Sequence, residues 1–74
     1  MRRIGIGIIG CGNISGAYLT AARRFPILDV RALADLDMNA ARARGKEFGI
    51  PAVEVAALLA DPGVEIVVNL TTPP

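Results

Sequence analysis

The chain has 74 residues, room for one small domain and no more. Apolar residues make up 53% and charged residues 20%, and eight Lys and Arg against seven Asp and Glu leave a net charge of +1. That composition describes a foldable globular chain, and its charge balance gives no electrostatic case for nucleic acid or an anionic membrane.

Residues 4–9 read as a buried parallel strand, isoleucine-rich and apolar or glycine on both faces. The basic start Met1-Arg2-Arg3 with this apolar run behind it imitates a secretory signal. Gly5, Gly7, Gly10 and Gly12 break the run, and no stretch is long enough to span a bilayer. Residues 10–12 form a glycine turn. Residues 13–25 follow as a helix whose apolar face is expected to carry Ile14, Tyr18, Ala21, Ala22 and Phe25, with Arg23 and Arg24 favouring its C-terminal dipole and Pro26 stopping it.

Residues 28–34 are the second strand, with Leu28, Val30 and Ala32 expected on one face. Asp37 is placed to cap a second helix over residues 38–48, with Ala40, Ala41 and Phe48 buried and Arg42, Arg44, Lys46 and Glu47 solvated. Gly45 lies inside this helix at a cost of about 1 kcal/mol against alanine. Gly49 suits a left-handed helix end, with Pro51 beyond it. Ala52 and Val53 make a very short third strand, and residues 54–60 a short helix ended by Asp61-Pro62-Gly63. Residues 64–70 are the fourth strand, centred on Ile66, Val67 and Val68.

The order βαβαβαβ implies an α/β fold with a doubly wound parallel sheet of strand order 3-2-1-4. The first two helices are expected on one face and the helix near Leu58 on the other. The fourth strand is expected at an open edge, where its β-branched side chains invite self-association. One cysteine excludes an internal disulfide framework and makes a reducing, cytoplasmic location the default.

A strand, a glycine turn and a helix in that order present backbone N–H groups to a diphosphate. Gly10 permits the tight turn and Gly12 lets the backbone approach the pyrophosphate. The strict fingerprint has a third glycine where this chain has Ser15, with Gly16 one residue later. Serine is small enough for close helix–strand packing. Asp35 ends the second strand close to the expected offset, where a carboxylate accepts bonds from the adenosine ribose hydroxyls and repels a 2′-phosphate, favouring NAD over NADP.

These residues, together with Phe48-Gly49-Ile50-Pro51, Leu58-Leu59-Ala60-Asp61-Pro62-Gly63 and the end Asn69-Leu70-Thr71-Thr72-Pro73-Pro74, resemble the start of the glucose–fructose oxidoreductase and inositol dehydrogenase (Gfo/Idh/MocA) family. The likeness runs over essentially all residues 1–74, as a truncated NAD(P)-binding Rossmann domain. It implies that Gly10, Cys11, Gly12, Asn13 and Ile14 meet the pyrophosphate and Asp35 the ribose. It places Leu70, Thr71, Thr72 and Pro73 along the nicotinamide-ribose side. It also implies hydride transfer between the nicotinamide and a sugar, polyol or related compound.

The family's Glu-Lys-Pro segment, its later aspartate and histidine and its C-terminal substrate domain lie beyond this sequence. With one lysine and no histidine, the chain is expected to bind cofactor without being catalytic alone. No residue is assigned a catalytic role, and no carboxylate pair or Cys/His cluster suggests a metal.

Tyr18 reads as packing, Cys11 as a turn residue, and Ser15 has no histidine to activate it. Asn69 either orients the following loop or touches cofactor. Arg2 and Arg3 read as exposed strand ends. Two alternatives stand beside the oxidoreductase: a non-catalytic dinucleotide-binding or self-associating half-Rossmann module, and another Rossmann enzyme such as an amino-acid dehydrogenase.

Overall fold

Isoleucines separated by glycines make Ile4–Ile9 the central strand, β1, of a three-stranded parallel sheet. The computed structural model describes residues 2–71. After β1 come helix α1 (Asn13–Ala22), strand β2 (Leu28–Ala34), helix α2 (Met38–Phe48), helix α3 (Val55–Ala60) and strand β3 (Ile66–Asn69). The sheet order is β2-β1-β3. The expected third strand is a single bridge, Ala52 against Leu33, on the outer side of β2. Pro51 has no N–H to extend a ladder, and α3 begins three residues after Ala52, so the segment stops at one rung. The order 3-2-1-4 survives with its first member reduced to that rung.

β1 and β2 run in register from Ile4 opposite Leu28 to Ile6 opposite Val30, then slip so that Gly7 faces Ala32 and Ile9 faces Ala34. Arg31 is the extra residue. The slip corrects the expected face pattern: Leu28 and Val30 pack into one core cluster, and Ala32 joins Ala34 in the other. An irregular residue reverses side-chain alternation beyond it.

The two clusters lie on opposite faces of the sheet. One holds Ile6, Ile8 and Leu33 beneath Leu19 of α1 and Ala41 of α2. The other holds Ala32 and Ala34 around Leu58 of α3. A Cβ on Gly7 would come within 2.7 Å of the Leu58 side chain, so glycine there is what lets α3 approach the strand.

Helix α1 ends at Ala22 rather than Phe25. Arg24 and Phe25 donate to the carbonyls three residues back, at 3.1 and 3.0 Å. Pro26 disfavours helical backbone at Phe25, and the last turn tightens instead of continuing. The buried stripe is Ser15, Leu19 and Ala22; Ile14 and Phe25 are exposed, Ala21 also faces solvent, and Tyr18 is half-buried. Arg23 serves another helix: its guanidinium donates to the Phe48 carbonyl at 3.0 Å and lies over the Phe48 ring, at the C-terminus of α2.

Asp37 caps α2 as expected, accepting from the N–H groups of Asn39 and Ala40. Gly49 closes it in the left-handed region at φ 69°. Gly45 has a packing reason, because a Cβ there would lie 2.4 Å from the Ile50 carbonyl oxygen.

Helix α3 starts at Val55, with Glu54 as its N-cap residue. β3 is shorter than residues 64–70, though Glu65 N–H and Leu70 N–H still bond to β1 carbonyls beyond its two ends. As expected, β3 forms an open flank among the described residues, with Ile66 47% and Val67 42% exposed. Arg2 and Arg3 are exposed; Arg2 pairs with Glu65, and Arg3 donates to the carbonyls of Pro26 and Leu28.

Candidate dinucleotide-binding site

The parallel strands all point their C-terminal ends at one edge, and the glycine turn lies there. Gly10 has φ 103°, and a Cβ on it would lie 2.8 Å from the Thr71 backbone nitrogen. Conformation and crowding both demand glycine. Gly12, the N-cap residue of α1, differs: its φ of −79° and ψ of −162° suit any residue, and a Cβ there would meet nothing within 4 Å. Among the described residues no steric contact demands glycine at this position, though it is an accepted N-cap residue. The space in front of it is open, and glycine there leaves the backbone bare to a group such as a diphosphate laid against it.

Asp35 stands just past β2, half-buried, with its carboxylate against the turn. Oδ2 accepts from the Cys11 N–H at 2.7 Å, and Oδ1 accepts from the Asp37 N–H at 2.8 Å. One side chain therefore joins the glycine turn to the start of α2. Asp35 also lines an open hollow of about 320 Å³ with Leu36, Met38, Glu54, Val55 and Ala56. No cation is among these lining residues.

Cys11 is buried, with Sγ 3.5 Å from the Ala34 carbonyl. Burial pushes its thiol pKa up and the Asp35 charge adds to this, while Arg44 pulls the other way. A thiol held neutral is a poor nucleophile, consistent with a packed turn residue.

Ser15, at the third fingerprint position, is 0% exposed. Its hydroxyl donates to the Gly12 carbonyl at 2.6 Å. Arg44 corrects the solvated-face expectation for α2: its side chain is only 21% exposed and crosses to α1. Nε donates to Ser15 Oγ at 3.2 Å and Nη2 to the Gly12 carbonyl at 3.1 Å. The fingerprint alone does not reveal this residue, since it comes from a helix surface and not from the motif.

Ile14 lies in the first turn of α1, 65% exposed, while the Asn13 backbone opens the helix. Leu70 and Thr71 run past Gly10. Asn69 Oδ1 accepts from the Thr71 N–H at 2.9 Å and from its hydroxyl, so this side chain orients the loop. Thr72 and Pro73 lie outside the described residues. The structure thus brings Gly10, Cys11, Gly12 and Asp35 together, with Leu70 and Thr71 adjoining. Among the described residues there is no group of three or more His, Cys, Asp or Glu suited to a metal ion, and no helix is long and apolar enough to cross a membrane.

A family model for Gfo/Idh/MocA proteins, described as an oxidoreductase family with an NAD-binding Rossmann fold, matches residues 4–74. The chain belongs to this family.

Solved structures superpose closely on it. The gentamicin A biosynthesis protein GenD2, in complex with NAD, is 26% identical, with a TM-score of 0.87 over 96% of this chain and 21% of its own. A 3-ketoreductase from Actinomadura kijaniata, in complex with NADP and TDP-benzene, is 32% identical, with a TM-score of 0.80 over 89% of this chain and 21% of its own. Myo-inositol dehydrogenase from Lactobacillus casei, in complex with NAD(H) and myo-inositol, is 26% identical, with a TM-score of 0.81 over 93% and 22%. The chain therefore spans about a fifth of the length of these three proteins. No curated protein matches it.

Proposed function

We propose that this chain supplies the dinucleotide grip of an oxidoreductase acting on a sugar, polyol or related hydroxyl or carbonyl compound, with NAD preferred to NADP. The observation that carries the reading is Gly12: a glycine with ordinary backbone angles and open space at its Cβ position, at the mouth of a helix and beside Asp35. When bound, the nicotinamide accepts or gives the hydride. The chain's own residues bind and orient. Backbone at residues 10–14 would hold the diphosphate, Asp35 the adenosine ribose, and Leu70 to Pro73 the nicotinamide-ribose side. Its one lysine, Lys46, is exposed on α2 and it has no histidine, so the proton chemistry would fall to groups outside these 74 residues. On this reading the 74 residues bind and orient the cofactor without carrying the proton chemistry.

Asp35 and Glu54 both border the hollow at the end of β2, and a 2′-phosphate placed there meets carboxylates. The single cysteine accords with a reducing cytoplasm. Calorimetric titration of the full-length protein with NAD and NADP tests the assignment. NAD is expected to bind more tightly. Asp35→Ala is expected to weaken NAD about tenfold or more, as for loss of a charged hydrogen-bond acceptor, and Asp35→Asn to narrow the gap between the two cofactors. An unchanged NAD affinity in Asp35→Ala removes Asp35 from the ribose.

A second reading rests on the open flank at β3, where Ile66 and Val67 are exposed. Taken by itself, the segment would self-associate through this edge, as a half-Rossmann module. Sedimentation of the isolated segment would then show mass rising with concentration; a monodisperse monomer at high concentration excludes it. A reading frame that continues into a Glu-Lys-Pro segment favours the enzyme over the module.

A further inference from the structure

The Gly12 carbonyl collects an unusual set of donors. Ser15 N–H reaches it at 3.1 Å, Ser15 Oγ at 2.6 Å and Arg44 Nη2 at 3.1 Å. The arginine comes from a different helix, 32 residues along the chain. Its remaining reach is used as well: Nε donates to Ser15 Oγ, and Nη1 pairs with Glu47 at 2.7 Å. Glu47 lies one turn further along α2 and steadies the guanidinium from behind. The planar fork suits such a multi-point grip, whereas an ammonium offers one point of charge.

The sequence around it makes room. A Cβ on Gly16 would sit 3.2 Å from Arg44 Nη1. The fingerprint's third glycine is therefore divided between two residues. Ser15 turns inward, fully buried, and Gly16 leaves space for the arginine.

We propose that Arg44 is a positioning residue for dinucleotide binding: it pins the Gly12 carbonyl and so aims the N–H of the same peptide, that of Asn13, toward the bound diphosphate. The peptide between Gly12 and Asn13 is planar and trans, so its C=O and N–H point in opposite directions. Holding the oxygen down toward α2 turns the hydrogen away from it. A cation on the carbonyl also polarises the peptide, strengthening the N–H as a donor. The inference rests on the dinucleotide reading above.

The test uses the full-length protein and four forms: wild type, Arg44→Met, Arg44→Lys and Ser15→Ala. Affinities for NADH and for ADP-ribose are read by calorimetry, and the Asn13 amide proton is followed by NMR as NADH is added. Arg44→Met is expected to lose about tenfold in affinity for both ligands, the scale of one charge-assisted bond. Arg44→Lys, which keeps the charge and loses the fork, should recover only part of this. The bound-state Asn13 amide shift should shrink in Arg44→Met. Unchanged affinity in Arg44→Met overturns the inference, as does an Asn13 shift identical to wild type. Full rescue by lysine also overturns it, because charge alone would then suffice. Should Arg44→Met fail to fold, Arg44→Lys and Ser15→Ala carry the same comparison, with losses of about threefold expected for removing part of the grip. If wild type binds neither NADH nor ADP-ribose, the dinucleotide reading itself falls and takes this inference with it; binding by wild type with no change in the variants sinks the inference alone.

Discussion

One face of the sheet buries several long side chains under two helices, and the other buries one leucine and two alanines under one short helix, with Ile9, Val53, Val55 and Val64 partly buried around them. On the first, Ile6, Ile8, Leu19 and Leu33 share the interior, so several residues bear on every gap. On the second, Leu58 is the buried leucine of α3, seated over glycine and alanine. The difference teaches how a short helix can cover a strand. Removing side chains from the strand brings the helix close, and the buried area then concentrates in one residue. Several fully buried large side chains on one face stand against a single fully buried leucine on the other.

Truncating that residue is the most direct way to break the comparison. Leu58→Ala is expected to cost about 2–5 kcal/mol, because buried leucine deletions combine lost transfer energy with an unfilled cavity. The loss should exceed that of Leu19→Ala, since Gly7 has no side chain and Ala32 and Ala34 have only a methyl each with which to close the gap. Denaturant unfolding of the two variants side by side measures this, and equal losses would mean that the two faces bear load alike. Gly7→Ala probes the same contact from the strand. Its new methyl would lie 2.7 Å from Leu58 Cδ2 and 2.9 Å from Val64 Cγ1, and overpacking of this kind costs about 1–3 kcal/mol. Combined with Leu58→Ala it should cost less than the sum, because the methyl then enters the space left by the leucine.

Smaller effects belong to the other face. Asp37→Ala removes the cap of α2, and the melting temperature should fall in line with a loss of about 1 kcal/mol. No change would show that the helix end is held by packing alone. Cys11 offers the mildest test. Burial raises its thiol pKa in the folded state, so the stability it contributes is fully present below the unfolded thiol value and declines as pH rises toward the folded one. Unfolding midpoints followed from about pH 8 upward, past the usual thiol range, should fall slightly in wild type relative to Cys11→Ala. Parallel curves would contradict the burial argument. Iodoacetamide should label the native thiol more slowly than the unfolded one.

The strands, α2 and its caps are legible from residue pattern because each rests on local chemistry. Asp37 bonds to amides two and three residues on, and Gly49 needs only its own backbone angles. The buried stripe of α1 is harder to read because it begins at a serine. Its apolar neighbour Ile14 looks the better core residue and is exposed. The pairing of Asp35 with the glycine turn follows from strand order, so spacing alone suggests it. Arg44 was out of reach for a different reason. Nothing within α2 distinguishes it from Arg42, and its role depends on where α1 lies and on Gly16 leaving room.

The slip at Arg31 has a consequence for how this strand can change. It works as a phase break, with alternation upstream independent of alternation at the tip. Deleting Arg31 would join the two paired runs into one regular ladder, with Leu28, Val30 and Leu33 still on one face and Ala32 and Ala34 still on the other. The extra residue is thus absorbed where it stands, and the Asp35 contact with Cys11 is expected to survive its removal.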